Sequence, residues 1–261
     1  MATVITAPEP NPRKPQPFPL RHRWDRAFFP IYVGLIWLAI LLGFVPEIVH
    51  HIRSGAKPFP PILHVHGAVF VGWLVLLTTQ LLLIRNRQVT LHRKLGYFGA
   101  ALAAVMVPLG VATGLTIQRM RLGEAGSEPS FFSVQLIDMI EFGGLAAAAI
   151  SARKMPSAHK RLILLATLSI ADAGFARWLG VWLFGFLGEG VWPFFAELFG
   201  GSAVMILLLG AYDWTTRRRL HPAYVFGAAW IFAGQLTASW LYYQPGWKAL
   251  ATSIIRLWPF S

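Results

Sequence analysis

Two histidines lie beside cations at the points where long apolar segments begin. His92 is followed directly by Arg93, and His159 lies two residues before Arg161. A neutral imidazole nitrogen can ligate haem iron, and neighbouring cations can pair with haem propionates. Facing helices would therefore form a b-type haem site with His92 and His159 as axial ligands and Arg93 and Arg161 beside them. The alternative is a contact with lipid phosphate groups, which histidine and arginine at helix ends also make.

A second group of ionisable residues lies deeper in the apolar segments. Asp138 and Glu141 follow Gln135 at steps of three residues, so we expect them to point into one cleft. Together with His66 they could bind a divalent metal or relay protons. The alternative is a structural ion pair between Arg177 and one of the carboxylates. Four further polar residues are expected in or beside the same segments: His64, Asp172, Glu197 and His221.

Two of these histidines are constrained by their positions along the chain. His64 is about 200° around a helix from His66, so a regular helix cannot direct both at one ion. His221 directly precedes Pro222, a residue that suits the first turn of a helix. Helix capping is therefore an alternative role for His221.

The composition is typical of an integral membrane protein. Of the 261 residues, 56% are hydrophobic and only 13% are charged, against about 25% charged in soluble domains. Several uncharged runs approach the ~20 residues that cross a bilayer as a helix. Because cysteine is absent, disulfides, thiolate metal sites and iron–sulfur clusters are excluded.

The apolar runs predict an all-α bundle of about seven transmembrane helices, because lipid cannot satisfy free backbone groups. Gly200–Gly201, with Gly143–Gly144 as a counterpart, is a candidate helix break of the kind found in transporters, although small residues also mediate ordinary helix packing. The predicted spans are 28–46, 62–84, 95–117, 131–151, 162–186, 191–212 and 222–244.

The basic residues predict how the bundle is oriented. If the spans alternate, 16 Lys and Arg residues lie on one side and 6 on the other, with Arg177 inside a span. Since cytoplasmic loops are enriched in Lys and Arg, the N-terminus is expected in the cytoplasm and the C-terminus outside. The net charge of +12 is then a topology signal, and nucleic acid is not an expected partner.

The two ends of the chain differ from the predicted transmembrane domain at 28–245. Residues 1–27 are basic and rich in proline, and they are expected to form a disordered cytoplasmic tail. Residues 246–261 are short and amphipathic. We expect this segment to lie in the membrane interface, with Trp247 and Trp258 as anchors.

Several motifs resemble those of a widespread family of bacterial multi-pass membrane proteins to which no activity is assigned. The similarity spans most of residues 30–235 and implies a location in the bacterial inner membrane. The motifs are HVHGAVFVGWLVLLTTQ (64–80), LHRKLGYFGAALAAVMVPLG (91–110), AHKRLILLATLSIADAGFAR (158–177) and YDWTTRRRLHP (212–222). The positions that match the family pattern are His64, His66, His92, Arg93, Asp138, His159, Arg161, Arg177, Asp213 and His221.

A more distant similarity is to the two-haem b-type transmembrane cytochromes that take electrons from ascorbate. In those proteins histidines on four consecutive helices pair first with third and second with fourth. The second pair corresponds to His92 and His159. The first pair would join His66 to the fourth span, which has no histidine and offers only Met139. The resemblance therefore implies one haem site.

Two functions follow from these patterns. One is a haem-binding redox protein that could receive electrons from a quinol. The other is a transporter, or a protein that binds lipids or small molecules, with a polar cleft of His66, Asp138, Glu141 and Asp172. The lack of an internal repeat disfavours a transporter, and a metal-dependent membrane enzyme has still less support. Membrane lipids are expected partners, and the chain could form homo-oligomers or join a membrane complex.

Overall fold

A computed structural model describes residues 18–19 and 21–260. Most of the predicted N-terminal tail, residues 1–17 and 20, lies outside this range. Every regular element in the described residues is helical, as expected, and none of those residues forms a strand.

Ten α-helices form within the described residues. Two 3₁₀ turns, Pro129–Phe131 and Ala152–Lys154, precede α4 and α5, and a π-helical segment, Ala176–Gly180, follows α6. The helices are α1 (Asp25–Arg53), α2 (Pro61–Arg85), α3 (Val89–Arg121), α4 (Phe132–Ser151), α5 (Pro156–Ser169), α6 (Asp172–Phe175), α7 (Val181–Leu187), α8 (Val191–Arg217), α9 (Pro222–Tyr242) and α10 (Pro245–Leu257).

Five helical stretches of the described chain are long and apolar enough to cross a membrane, as in an integral membrane protein. They contain α1, α2, α3, α4 and α8. The bent pair of α5 with 172–180 makes a sixth if it is one span. Helix α9 is not among them, since it carries Gln235, Thr237 and Ser239 within its 21 residues. Length and composition therefore support five or six spans, and the seventh stays a prediction.

The helices alternate in direction between two ends of the bundle. Ion pairs and hydrogen bonds bring the starts of α1, α3, α5 and α9 together with the ends of α2, α4 and α8. We name this the Asp25 end. The opposite end, named the Glu128 end, is marked by the ion pair between Lys248 and Glu128 at 3.1 Å.

The fifth predicted span is a broken helix in the structure. The sequence predicts one continuous helix over 162–186, but α5 ends at Ser169 and α6 begins at Asp172. The axes of the two parts differ by 43°. Because irregular backbone at membrane depth needs protein or water around it, Asp172 lies at a point of the fold where polar groups are to be expected.

The predicted break at the glycine pairs is wrong. Helix α8 runs without interruption through Gly200–Gly201, and α4 runs through Gly143–Gly144. A side chain at Gly201 would overlap the ring of Phe175 in α6. The glycine is therefore required by close helix packing, which was the alternative interpretation of the pair.

Helix α4 lies at the centre of the bundle. It packs against α3, α5 and α9, while α8 packs against α6 and α9. Gly43 of α1 and Gly174 of α6 touch backbone to backbone, so α1 crosses the broken helix at close range. The core between these helices is apolar, and its fully buried side chains include Ile36, Met106, Phe142, Leu145, Leu165, Leu168, Ile206, Leu209 and Ile231.

Helix α10 folds back on the Glu128 end of the bundle. The indole nitrogen of Trp247 donates to the carbonyl oxygen of Ser130 at 2.9 Å. The indole of Trp258 donates to the hydroxyl of Thr116 at 3.0 Å. The two tryptophans that were expected to anchor this segment in the membrane interface thus form hydrogen bonds that attach α10 to the rest of the protein.

Candidate functional sites

The Asp25 end brings His92 and His159 together, although α4 lies between the helices that carry them. Their ring centroids are 6.4 Å apart and the rings are nearly perpendicular, at 85°. Nδ1 of His159 lies 2.8 Å from the carbonyl oxygen of Ala149. Because a carbonyl oxygen only accepts, Nδ1 donates, and Nε2 is the nitrogen that carries the lone pair in the neutral form of the ring. His159 thus has the tautomer of a metal ligand held by a backbone hydrogen bond.

This pair has the spacing that a shared metal would require. An imidazole nitrogen lies about 2 Å from a metal that it ligates, which places the centroids of two opposed rings about 6 Å apart. The observed 6.4 Å agrees with that separation. Nδ1 of His92 is buried and has no hydrogen-bond partner.

The two arginines expected beside these histidines have different environments. Arg93 is exposed. Arg161 is 0% exposed, and Asp213 is also 0% exposed. The guanidinium of Arg161 donates twice to the Asp213 carboxylate, once at 2.6 Å. It also donates to the carbonyl and hydroxyl oxygens of Ser157 at 2.7 and 2.8 Å. Only Arg93 is therefore free to meet a propionate.

Arg161 belongs to a larger group of charges that we name the ion network: Asp25, Lys160, Arg161, Asp213 and Arg217. The Asp25 carboxylate accepts from Arg217 at 2.8 and 3.0 Å. It also accepts from Lys160 at 3.2 Å and from the Tyr212 hydroxyl at 2.5 Å. Arg217 also lies 3.6 Å from Asp213. Every charge of the ion network therefore has an opposite charge beside it.

His221 lies at the edge of the ion network and caps α9. Its Nδ1 accepts from the backbone N–H of Ala223 at 3.0 Å. Burial, and secondly the charge of Arg161, lower the pKa of His221 to about 4. The ring is thus neutral near pH 7, as the cap requires, because a protonated ring has no lone pair to accept the bond.

Three acidic side chains lie near one another deeper in the bundle, and we name them the carboxyl cluster: Asp138, Glu141 and Asp172. Asp138 and Glu141 of α4 lie close enough to Asp172 for their charges to interact. Glu141 is 1% exposed, Asp172 3% and the neighbouring Gln235 0%. The Gln235 amide nitrogen donates to Asp172 Oδ2 at 3.0 Å and to the Ser202 hydroxyl at 3.3 Å.

The carboxyl cluster lacks the partners that buried polar atoms ordinarily have. Its partnerless buried oxygens are Oδ1 of Asp138, both carboxylate oxygens of Glu141, Oδ1 of Asp172 and the amide oxygen of Gln235. None of the ion pairs formed within residues 18–19 and 21–260 includes any of the three acids.

The structure does not join His66 to these acids. His66 is half-buried and stacks on Phe70 at 4.0 Å, while His64 is exposed. No three His, Asp or Glu side chains of the described chain form a group that could hold a metal ion. Gln135 does not face the carboxyl cluster, since its amide oxygen accepts from Gln118 on α3 at 3.4 Å.

The two remaining charged candidates lie apart from the carboxyl cluster. Arg177 pairs with Glu47 of α1 at 2.6 Å, and both side chains are partly exposed. Its guanidinium also lies 4.2 Å from the ring centre of Phe44. Glu197 has one buried oxygen without a partner. The arginine pair that the sequence suggested therefore forms with Glu47, a residue that the sequence analysis did not select.

Comparison with known proteins leaves these sites without a precedent. No protein-family model matches the chain, and neither a curated protein nor a solved structure is significantly similar to it. The resemblance of its motifs to a bacterial membrane family stays a prediction, and the geometry of the sites carries the functional argument.

Proposed function

We propose that this protein is an electron-transfer protein that holds one b-type haem between His92 and His159. The observation that carries the proposal is the close approach of the two imidazoles, which are 6.4 Å apart between centroids and nearly perpendicular. When bound, a haem supplies a reversible one-electron couple whose potential the axial ligands and burial adjust.

Each neighbouring residue has a defined part in this proposal. The carbonyl oxygen of Ala149 holds His159 with Nε2 available as a ligand. The guanidinium of Arg93 is exposed and would pair with a haem propionate. Arg161 has a positioning role. Its hydrogen bonds to Asp213 and Ser157 hold the first turn of α5, where His159 lies.

We further propose that the Asp25 end faces the cytoplasm of a bacterium and that the bundle spans the inner membrane seven times. The excess of Lys and Arg in the segments at this end supports that orientation. The haem would then lie near the inner surface of the membrane, where a soluble or membrane-dissolved electron donor can approach it.

The test is the absorbance of protein purified in detergent from haem-replete cells, recorded oxidised and then reduced with dithionite. We expect a Soret band that moves on reduction, with sharp α and β bands. His92→Ala and His159→Ala should each abolish these bands, because one axial ligand is lost in each.

The matched control is His64→Ala, which removes an exposed histidine of α2 and should leave the haem in place. A wild-type protein without haem would contradict the proposal. Full haem retention with unchanged spectra in both ligand variants would contradict it equally.

A further inference from the structure

The carboxyl cluster lies within the membrane, well away from the proposed haem ligands. Asp138 and Glu141 are six and nine residues from the start of α4, which is roughly 9 and 14 Å along the helix. Asp172 is carried by the break between α5 and α6. The stretch that contains α4 is long and apolar enough to cross a membrane, and positions this far from its start fall inside the ~30 Å hydrocarbon layer of a membrane that it spans. Ionisable groups at that depth are costly and mark functional sites.

The atoms that lack partners in the carboxyl cluster are all hydrogen-bond acceptors. Four are carboxyl oxygens, and the fifth is the amide oxygen of the fully buried Gln235, whose nitrogen is already bound to Asp172. What this site lacks is hydrogen-bond donors and positive charge. A buried acceptor left without a donor costs about 1–3 kcal/mol, and more when it is charged.

We propose that Asp138, Glu141 and Asp172, with Gln235, form a proton-binding site within the membrane. A proton on one carboxyl group removes one negative charge and creates one O–H donor for a neighbouring oxygen. Carboxyl groups that are close enough for their charges to interact commonly bind a proton for this reason. The site is independent of the haem proposal, and neither depends on the other.

Within residues 18–19 and 21–260, no cation forms an ion pair with the three acids. Helix α9 contributes Gln235 and α8 contributes the Ser202 hydroxyl. Four cations of the neighbouring segments have carboxylate partners of their own: Lys160, Arg161 and Arg217 in the ion network, and Arg177 with Glu47. Neither Glu197 nor the histidines His66, His92 and His159 form a described contact with the three acids.

The site can be tested by infrared spectroscopy of the whole protein in detergent or lipid at pH 8. Solvated carboxyl groups, which titrate near 4, are fully ionised at that pH. We expect a carbonyl band of protonated carboxyl groups that shifts in deuterated water. Asp138→Asn, Glu141→Gln and Asp172→Asn should each reduce it, and Glu124→Gln, at an exposed acid, should leave it unchanged.

The infrared spectrum of the wild-type protein tests the proton-binding site even if a variant fails to fold. Absence of the band at pH 8 would overturn the proposal, as would a band that none of the three variants reduces. A missing band together with a melting temperature raised by sodium or calcium chloride would identify a metal cation in place of the proton, which also overturns it. These results do not depend on whether the haem bands are present.

Discussion

The ion network and the carboxyl cluster both consist of ionisable side chains that are buried or half-buried, yet they differ in how far their hydrogen bonds are completed. Arg161 is as buried as any residue of the carboxyl cluster, but Asp213 and Ser157 occupy its donors. Asp172 retains one oxygen without a partner, and Glu141 retains two. In the first region the chain provides every partner itself. In the second region several buried acceptor atoms have no partner within the described residues.

This difference separates structural from functional charge in a membrane protein. A buried ion pair is weak support for stability in itself, but removal of one partner is costly because it strands the other. The carboxyl cluster has the opposite property, since replacing one of its carboxyl groups by a neutral amide leaves no opposite charge unpaired. Stability measurements can therefore tell the two regions apart.

The largest expected effect is that of Asp213→Ala. It leaves the guanidinium of Arg161 buried without its carboxylate, and we expect a loss of about 3–5 kcal/mol in the free energy of unfolding. Asp172→Asn, an equally buried aspartate, should change it by no more than about 1 kcal/mol. The measurement is unfolding in mixed detergent with increasing dodecyl sulfate.

A double variant serves as the control for this prediction. Arg161→Met with Asp213→Leu removes both charges, and it should recover most of the loss, because well-packed apolar pairs replace buried ion pairs at little cost. Equal losses for Asp213→Ala and Asp172→Asn would refute the distinction between the two regions.

A smaller effect is expected at the glycine pair of α8. Gly201→Ala places a methyl group against Phe175, and overpacking of this kind costs about 1–3 kcal/mol. The displaced α6 carries Asp172, so the infrared band of the carboxyl cluster should change as well. Gly200→Ala is the matched control, since its nearest neighbour would be Leu183 at 3.9 Å. If both variants behave alike, packing at Gly201 does not position the carboxyl cluster.

The smallest expected effect is a pH dependence at His221. The folded-state pKa of His221 is lowered to about 4 from an ordinary value near 6.5. The contribution of the neutral cap to the free energy of unfolding is therefore fully present above pH 6.5 and is lost as the pH falls towards 4. The ring is partly exposed, which reduces the expected loss to about 1 kcal/mol. His221→Asn keeps a capping side chain and should remove this part of the pH dependence of the melting temperature. An unchanged pH profile in that variant would argue against the neutral cap.

The sequence predicted most helices because apolar runs end sharply where charges begin. Helix α2 covers 61–85 against the expected 62–84, and α4 begins at residue 132 against 131. Helices α1 and α3 extend further, to Arg53 and Arg121, because a helix continues into polar residues beyond the apolar stretch. The break before Asp172 was not predictable in this way. Positions 170 and 171 are isoleucine and alanine, so neither a proline nor a glycine marks the break. The bend lies next to the contact between Gly43 and Gly174.

Site residues could be predicted from the sequence where they lie in the first turn of a helix. His92 and His159 were expected to meet because both begin helices at the same end of the bundle, and they do meet. The partner of Arg161 lies 52 residues away in the chain, and only the matched motif at 212–222 had drawn attention to Asp213. Gln235 was missed, because an isolated amide in an apolar helix gives no indication of what it faces.

Helix α1 is bound to the broken helix at both of its ends. Asp25 pairs with Lys160 near the start of α5, and Glu47 pairs with Arg177 beyond the break. A continuous helix attached on either side of a bend sets the distance between the two attachment points. Straightening of the bent segment would lengthen that distance and break one ion pair. Helix α1 therefore opposes a change in the angle of the bent segment at Asp172.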